Sequence, residues 1–274
     1  MTEIVGTQSI ARAMELLRTV AEGPANGVTL AEAAEATGLH RATAHRVLAA
    51  LTRERLVEQD AAHRYHPGVE LWIMGEAAAR RFDIRDLARP ALERIASDTE
   101  DTVYLSVRSG PEAICLACCE GAFPIRTLSL KVGDRRPLGV GSGSLALLSF
   151  LPPAEREDVL ASSGPQLARY ARFSSAVLRR LVDQTRARGY SFVAGTIISG
   201  MSAFGVPVLD PDGHALAALS VAAIDARMTS SRRAKLVRLV QAQAAALAAR
   251  LSSGRRRAPT GASSTEVKGQ RRPA

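Results

Sequence analysis

The chain lacks any uninterrupted apolar run of about 18 residues, the length a bilayer-spanning helix requires. The nearest approach, Leu138 to Leu151, is short and broken by glycine and serine. No basic region followed by an apolar run opens the sequence, so no signal peptide is expected and the expected location is the cytoplasm, with no membrane partner. Cysteine is scarce. Its three copies, Cys115, Cys118 and Cys119, sit in one short stretch, and no second pair or nearby histidine completes a zinc tetrahedron. In a segment rich in strand formers, such thiols behave as small hydrophobes, and no metal site is expected. Catalytic signatures are missing too. There is no G-x-S-x-G elbow and no zinc-hydrolase motif. The glycine-rich loop Gly139–Ser144 has Ser144 where a dinucleotide fingerprint needs its third glycine, and it lacks the lysine of a P-loop. No catalytic residue and no cofactor are assigned, and an enzyme is not expected. A catalytic alternative would have to draw on the cysteines, Ser142 to Ser144 and His214, among which no base–nucleophile pairing is visible.

What is present fits a two-domain globular protein. The chain has 274 residues, 46% of them hydrophobic and 23% charged. The formal charge of +9 is misleading as a sign of nucleic-acid binding. Residues 253–274 hold six basic side chains against Glu266, and this Ser/Gly/Pro/Arg-rich stretch reads as a disordered basic tail. Residues 1–68 contain seven arginines, no lysine and eight acids, a net charge of −1. Any affinity for DNA there must come from a local patch, is modest per monomer, and needs dimerisation to be tight.

That patch is legible. Ile10, Ala13, Met14, Leu17 and Val20 recur at helical spacing and stop before Gly23-Pro24. Thr29-Leu-Ala-Glu32 is a capping box, and Gly38 offers the left-handed residue that ends a short second helix. Leu39 fills the space between helices, and a third helix begins near His40 with Ala44, Val47, Leu48 and Leu51 facing inward. Its outer face then carries His40, Arg41, Thr43, His45 and Arg46. Leu56–Gln59 and Arg64–His66 read as two strands around an Asp60–His63 turn. The outline is a winged helix-turn-helix, whose recognition helix meets base edges with its first turns. Arginine can bind guanine bidentately and threonine can contact a base or methyl group. The DNA-binding candidates are Thr29, His40, Arg41, Thr43, His45, Arg46 and, at the wing, Arg64.

Beyond it, Val69–Arg81 and Phe82–Ser97 read as helices, the first a linker whose apolar residues suit a dimer contact. Strands are expected over Val103–Val107, Ala113–Cys119, Thr127–Leu130, Tyr190–Val193, Ala203–Leu209 and Ala215–Ala223, with helices between them and a long helix over Thr229–Leu251. Asp210-Pro-Asp-Gly213 is a hairpin turn. Hairpins with flanking helices give an α+β sensor-type domain. The expected domains are therefore 1–68, a linker helix 69–82, an effector-binding domain 83–252 and the tail. The loop Gly139–Ser144, entering a helix, presents amides suited to an anion.

Three segments resemble the IclR family of bacterial transcriptional regulators: Gly38-Leu-His-Arg-Ala-Thr-Ala-His-Arg-Val-Leu48 with Arg64-Tyr65 and Gly68; Val132-Gly-Asp-Arg-Arg-Pro-Leu-Gly-Val-Gly-Ser-Gly-Ser-Leu-Ala-Leu-Leu148; and Phe204-Gly-Val-Pro-Val-Leu-Asp210 with Ala217-Ala-Leu-Ser-Val221. The resemblance implies a homodimer or dimer of dimers, a winged helix-turn-helix, and a GAF-like domain in which a small organic or aromatic acid changes operator affinity. It implies effector positions at Ser142, Gly143, Val193, Ala203, Ser220 and Ala222. Members that bind small oxo-acids have an acid, a cysteine and a serine where this chain has Val193, Ala203 and Ala222. Those departures point to a larger, more apolar ligand. The expected partners are duplex operator DNA and this effector, with repression favoured over activation. A module that meets protein partners but not DNA is the competing reading.

Overall fold

The computed structural model describes residues 7–81, 84–125, 129–170 and 172–257, and the chain divides into two units between residues 83 and 84. The first unit opens with α1 (Gln8–Ala21), α2 (Leu30–Thr37) and α3 (Arg41–Arg53). A hairpin of β1 (Val57–Gln59) and β2 (Tyr65–Pro67) follows, then α4 (Val69–Arg81). The capping box forms: Thr29 Oγ1 accepts from the Glu32 amide at 3.2 Å, and Glu32 Oε2 accepts from the Thr29 amide at 2.7 Å. Gly38 ends α2 at φ 63°, where a Cβ would be strained. Leu16, Leu17, Val20, Ala33, Ala44, Leu48 and Leu51 bury against Val57 and Tyr65, with Leu39 and Val47 packed at the margin. Val28 pairs with Tyr65 and fastens the wing to the helices.

The second unit contains α5 (Ile84–Thr99), β3 (Thr102–Ser109), β4 (Glu112–Cys119), β5 (Arg135–Pro137), α6 (Ser142–Ser149), α7 (Pro153–Ser162) and α8 (Gly164–Leu167). It continues with α9 (Ser175–Arg188), β6 (Ser191–Ala194), β7 (Met201–Leu209), β8 (Ala215–Ile224) and α10 (Ser230–Arg257). Its antiparallel sheet has the order β5-β4-β3-β8-β7-β6. Alternation sorts the side chains. Val103 and Leu105 of β3 and Leu219 and Val221 of β8 join α5 and α10 in one core, while Ala218, Leu145, Leu148 and Leu178 build a second core with α6 and α9. Three layers result: helices, sheet, helices.

Two expectations need correction. Of the strand expected over 127–130, residues 127 and 128 lie outside the described residues, and Ser129 and Leu130 are irregular. The edge strand is β5 instead, paired with β4 through Glu112–Pro137, Ala113–Arg136 and Ile114–Arg135. Gly133, at φ 96°, and the Asp134 carboxylate accepting from the Lys131 amide at 2.8 Å redirect the chain, and an edge position tolerates Pro137. The final helix also runs on to Arg257 rather than ending at Leu251, since arginine sustains a helix nearly as well as leucine. The rest of the expected tail, 258–274, and Phe82 lie outside the described residues.

Candidate DNA-reading helix and effector cavity

The buried face of α3, Ala44, Leu48 and Leu51, fixes which residues can face outward. Arg41, His45 and Arg46 are exposed on its first turns, Thr43 is half-buried, and α3 contains no acidic residue. The other three candidates already have partners inside the unit. Thr29 is spent on the capping box. His40 caps α3, its Nδ1 accepting from the Ala42 amide at 3.4 Å. Arg64 turns away from the wing tip, donating from Nη1 to the Gly27 carbonyl at 2.8 Å, with Glu32 Oε2 at 3.7 Å. The wing tip carries instead the exposed His63, in the left-handed region at φ 58°, a residue absent from the sequence-based candidates. Asp60 shapes that tip, with Oδ1 accepting from the Ala62 and Arg64 amides and Oδ2 lying 3.0 Å from His66 Nε2. The His66 contact and the Arg64 amide hold the Asp60 carboxyl below its usual range.

In the second unit all six expected effector positions line one cavity, with about 720 Å³ of empty space including its open mouth. Register explains how. Tyr104, Ser220, Gly205 and Ser191 lie in one row across β3, β8, β7 and β6, and Ala222, Ala203 and Val193 lie in the next row on the same face. The start of α6 lies over this floor. A Cβ on Gly143 would stand 3.1 Å from Ser220 Oγ and 3.2 Å from Ser106 Oγ, so Gly143 is what permits the approach. Ser191 Oγ donates to the Ser142 carbonyl at 2.6 Å and pins the helix there.

The cavity wall is polar at one end. Ser106, Ser142 and Ser220 are only 4%, 6% and 4% exposed, and their hydroxyls make no hydrogen bond among the described residues. Ser144 differs: its hydroxyl donates to the Pro137 carbonyl at 2.9 Å and accepts from the Gly139 amide at 3.0 Å, so it is structural. The amides of the first turn of α6 have no intrahelical acceptor. The polar lining residues Tyr104, Ser106 and Arg136 are among those absent from the sequence-based candidates. Period-two alternation is the signal that points to Arg136, since Arg135 and Arg136 cannot both face solvent from one strand. Burial pushes Tyr104 up to about 12 and Cys115 up to about 11, so both are neutral near pH 7. The three cysteines are free thiols on β4.

Comparison with known proteins places these features in one family. The model for the IclR helix-turn-helix domain matches residues 9–61, and that for the bacterial transcriptional regulator IclR C-terminal domain matches residues 76–249. The HTH-type transcriptional regulator KipR of Bacillus subtilis is 27% identical over 226 residues, spanning 82% of this chain and 89% of the relative. The transcriptional repressor IclR of Escherichia coli is 27% identical over 231 residues, spanning 82% and 83%. The crystal structure of an IclR homolog complexed with 4-hydroxybenzoate from Microbacterium hydrocarbonoxydans shares the fold, with a TM-score of 0.73 at 23% identity, covering 90% of this chain and 100% of that one. Among the described residues no helix is long and apolar enough to cross a membrane. With family models matching both units and relatives named as regulators across most of its length, the chain belongs to the IclR family of DNA-binding transcriptional regulators, which are not enzymes.

Proposed function

We propose that the chain is a repressor whose operator affinity is set by an organic or aromatic acid bound in the cavity of its second unit. The observation that carries this reading is the convergence of all six effector positions on a cavity with unengaged serine hydroxyls at one end. The valine and alanines at 193, 203 and 222 widen and dry the other end, which suits a larger, more apolar body than a small oxo-acid. The Microbacterium relative's 4-hydroxybenzoate and the repressor name of the Escherichia coli relative support the same direction. On the DNA side, Arg41, His45 and Arg46 read bases and phosphates from α3, and Thr29, His40 and Arg64 hold that face in place. Residues 1–68 serve as the DNA-binding domain, 69–82 as the linker and 83–252 as the effector domain, in a cytoplasmic homodimer or dimer of dimers. The exposed Trp72, Ile73 and Met74 of α4 support the pairing of two copies.

The test is an electrophoretic mobility shift with DNA from just upstream of the protein's own coding region, titrated with 4-hydroxybenzoate and other acids. Retention that survives competitor DNA, and weakens as an acid is added, is the expected result. Retention unchanged by every acid sinks the effector role, and no retention of that DNA leaves a distant operator or a silent DNA-reading face.

A further inference from the structure

We propose that Arg136 anchors the ligand's carboxylate, so that the cavity selects monoanionic acids with an apolar body over their neutral amides. The proposal rests on the effector role assigned above to this cavity.

The contrast between two adjacent arginines on β5 is the starting point. Arg135 faces outward and has its counter-ion, with Nη1 3.3 Å from Glu112 Oε2. Arg136 faces inward, half-buried and lining the cavity. Its Nη2 donates to the Ser129 carbonyl, and among the described residues it forms no ion pair. A guanidinium withdrawn from water without an anion is unfavourable. Burial accordingly pulls its pKa below the ordinary value, although arginine stays charged at any physiological pH. Its Nη1 stands 3.4 Å from where a Cβ on Gly141 would be, which brings the cation to the N-cap of α6. The helix dipole and the open amides of Ser142 to Ser144 add positive potential at the same point. With the hydroxyls of Ser106, Ser142 and Ser220, that end of the cavity gathers hydrogen-bond donors around a guanidinium whose one nearby carboxylate among the described residues, Asp134, forms no ion pair with it.

Two further features narrow the ligand. Asp134 also lines the cavity, its Oδ2 accepting from the Lys131 amide. A carboxylate this near the guanidinium repels a second negative charge on the ligand, so a monoanion is favoured over a dianion. Away from Arg136 the walls are Val193, Ile197, Met201 and Ala203, which suit a ring or an acyl chain. A bidentate guanidinium–carboxylate pair fixes the head group, and the apolar walls take the body.

Isothermal titration of the full chain with 4-hydroxybenzoate, benzoate, hexanoate, phthalate and 4-hydroxybenzamide tests this. The wild type is expected to bind at least one monoanionic acid at least tenfold more tightly than the amide or phthalate. Arg136→Gln is expected to lose at least tenfold for that acid with no change for the amide, and Arg136→Lys, which keeps the charge but not the fork, to fall between. If R136Q melts at a lower temperature without ligand, R136K carries the comparison. Acid binding unchanged in both variants overturns the anchor while leaving the cavity's effector role standing, as does equal loss for acid and amide. Failure of every acid to bind the wild type overturns the acid ligand itself, and with it the effector role.

Discussion

Asp101 is 4% exposed and receives two guanidinium groups, Nε of Arg227 and Nη2 of Arg232, each at 2.8 Å. Arg227 also lies 3.8 Å over the Phe123 ring. The carboxylate thus ties the α5–β3 junction to the start of α10. Asp101→Asn leaves Arg232 without its anion and Arg227 with only the exposed Glu100, 3.3 Å away, and is expected to destabilise the second unit by about 3 kcal/mol, near the low end for a broken buried pair because both arginines reach solvent. Chemical denaturation measures it. On the DNA-reading face the expected effects are different in kind. Arg41→Ala and Arg46→Ala should each weaken operator binding by about 1–3 kcal/mol with an unchanged melting curve. Fluorescence anisotropy on upstream DNA checks this, and retained affinity in both would reassign the face. Two carboxyls set an acid limit. Glu32, bonded to Thr29, and Asp60, bonded to His66, both titrate below their usual 4.5 and 3.8. Their depressed folded-state values mean that the stability they contribute is present above those figures and is lost as pH falls through the lower folded-state values. Glu32→Gln and Asp60→Asn should flatten the acid limb of a circular-dichroism titration.

At the scale of elements, the placement of α6 hangs on a strand glycine. A Cβ on Gly205 of β7 would stand 2.6 Å from the Ser142 carbonyl oxygen and 2.7 Å from its carbon, both backbone. Gly205→Ala must push the start of α6 off the sheet and break the Ser191–Ser142 bond. The expected cost is about 1–3 kcal/mol, read as a lower melting temperature with loss of acid binding. The first unit is largely legible in the sequence because its signals are local: Thr29 with Glu32, Gly38 after α2, and Ala44, Leu48 and Leu51 at helical spacing. Of the cavity, the loop Gly139–Ser144 is legible from local signals and the remaining effector positions only through family resemblance. Its floor takes Tyr104, Ser220, Gly205 and Ser191 from four strands, and their register follows from pairing across the sheet rather than from spacing along the chain. Arg136 is hidden for the same reason: the sequence reading places no strand over Arg135–Pro137, where the turn at Gly133 sets the edge strand.

For the whole molecule, acid binding and folding are linked. A ligand at 100 times its Kd should raise stability by about 2.7 kcal/mol if it binds only the folded chain, and thermal scanning detects that directly. With residues 1–68 net negative, tight operator binding calls for two recognition helices. Footprinting should then show protected half-sites about 34 Å apart or a multiple of that. The strand that carries Arg136 is held to the sheet by three residue pairs at its outer edge. Such a short border strand opens and recloses far more often than the strands inside it. If a bound acid clamps its guanidinium, occupancy is converted into rigidity: deuterium uptake at the amides of Arg135 and Arg136 slows, and the ligand is sensed as a change in breathing of the sheet margin as well as a change in shape.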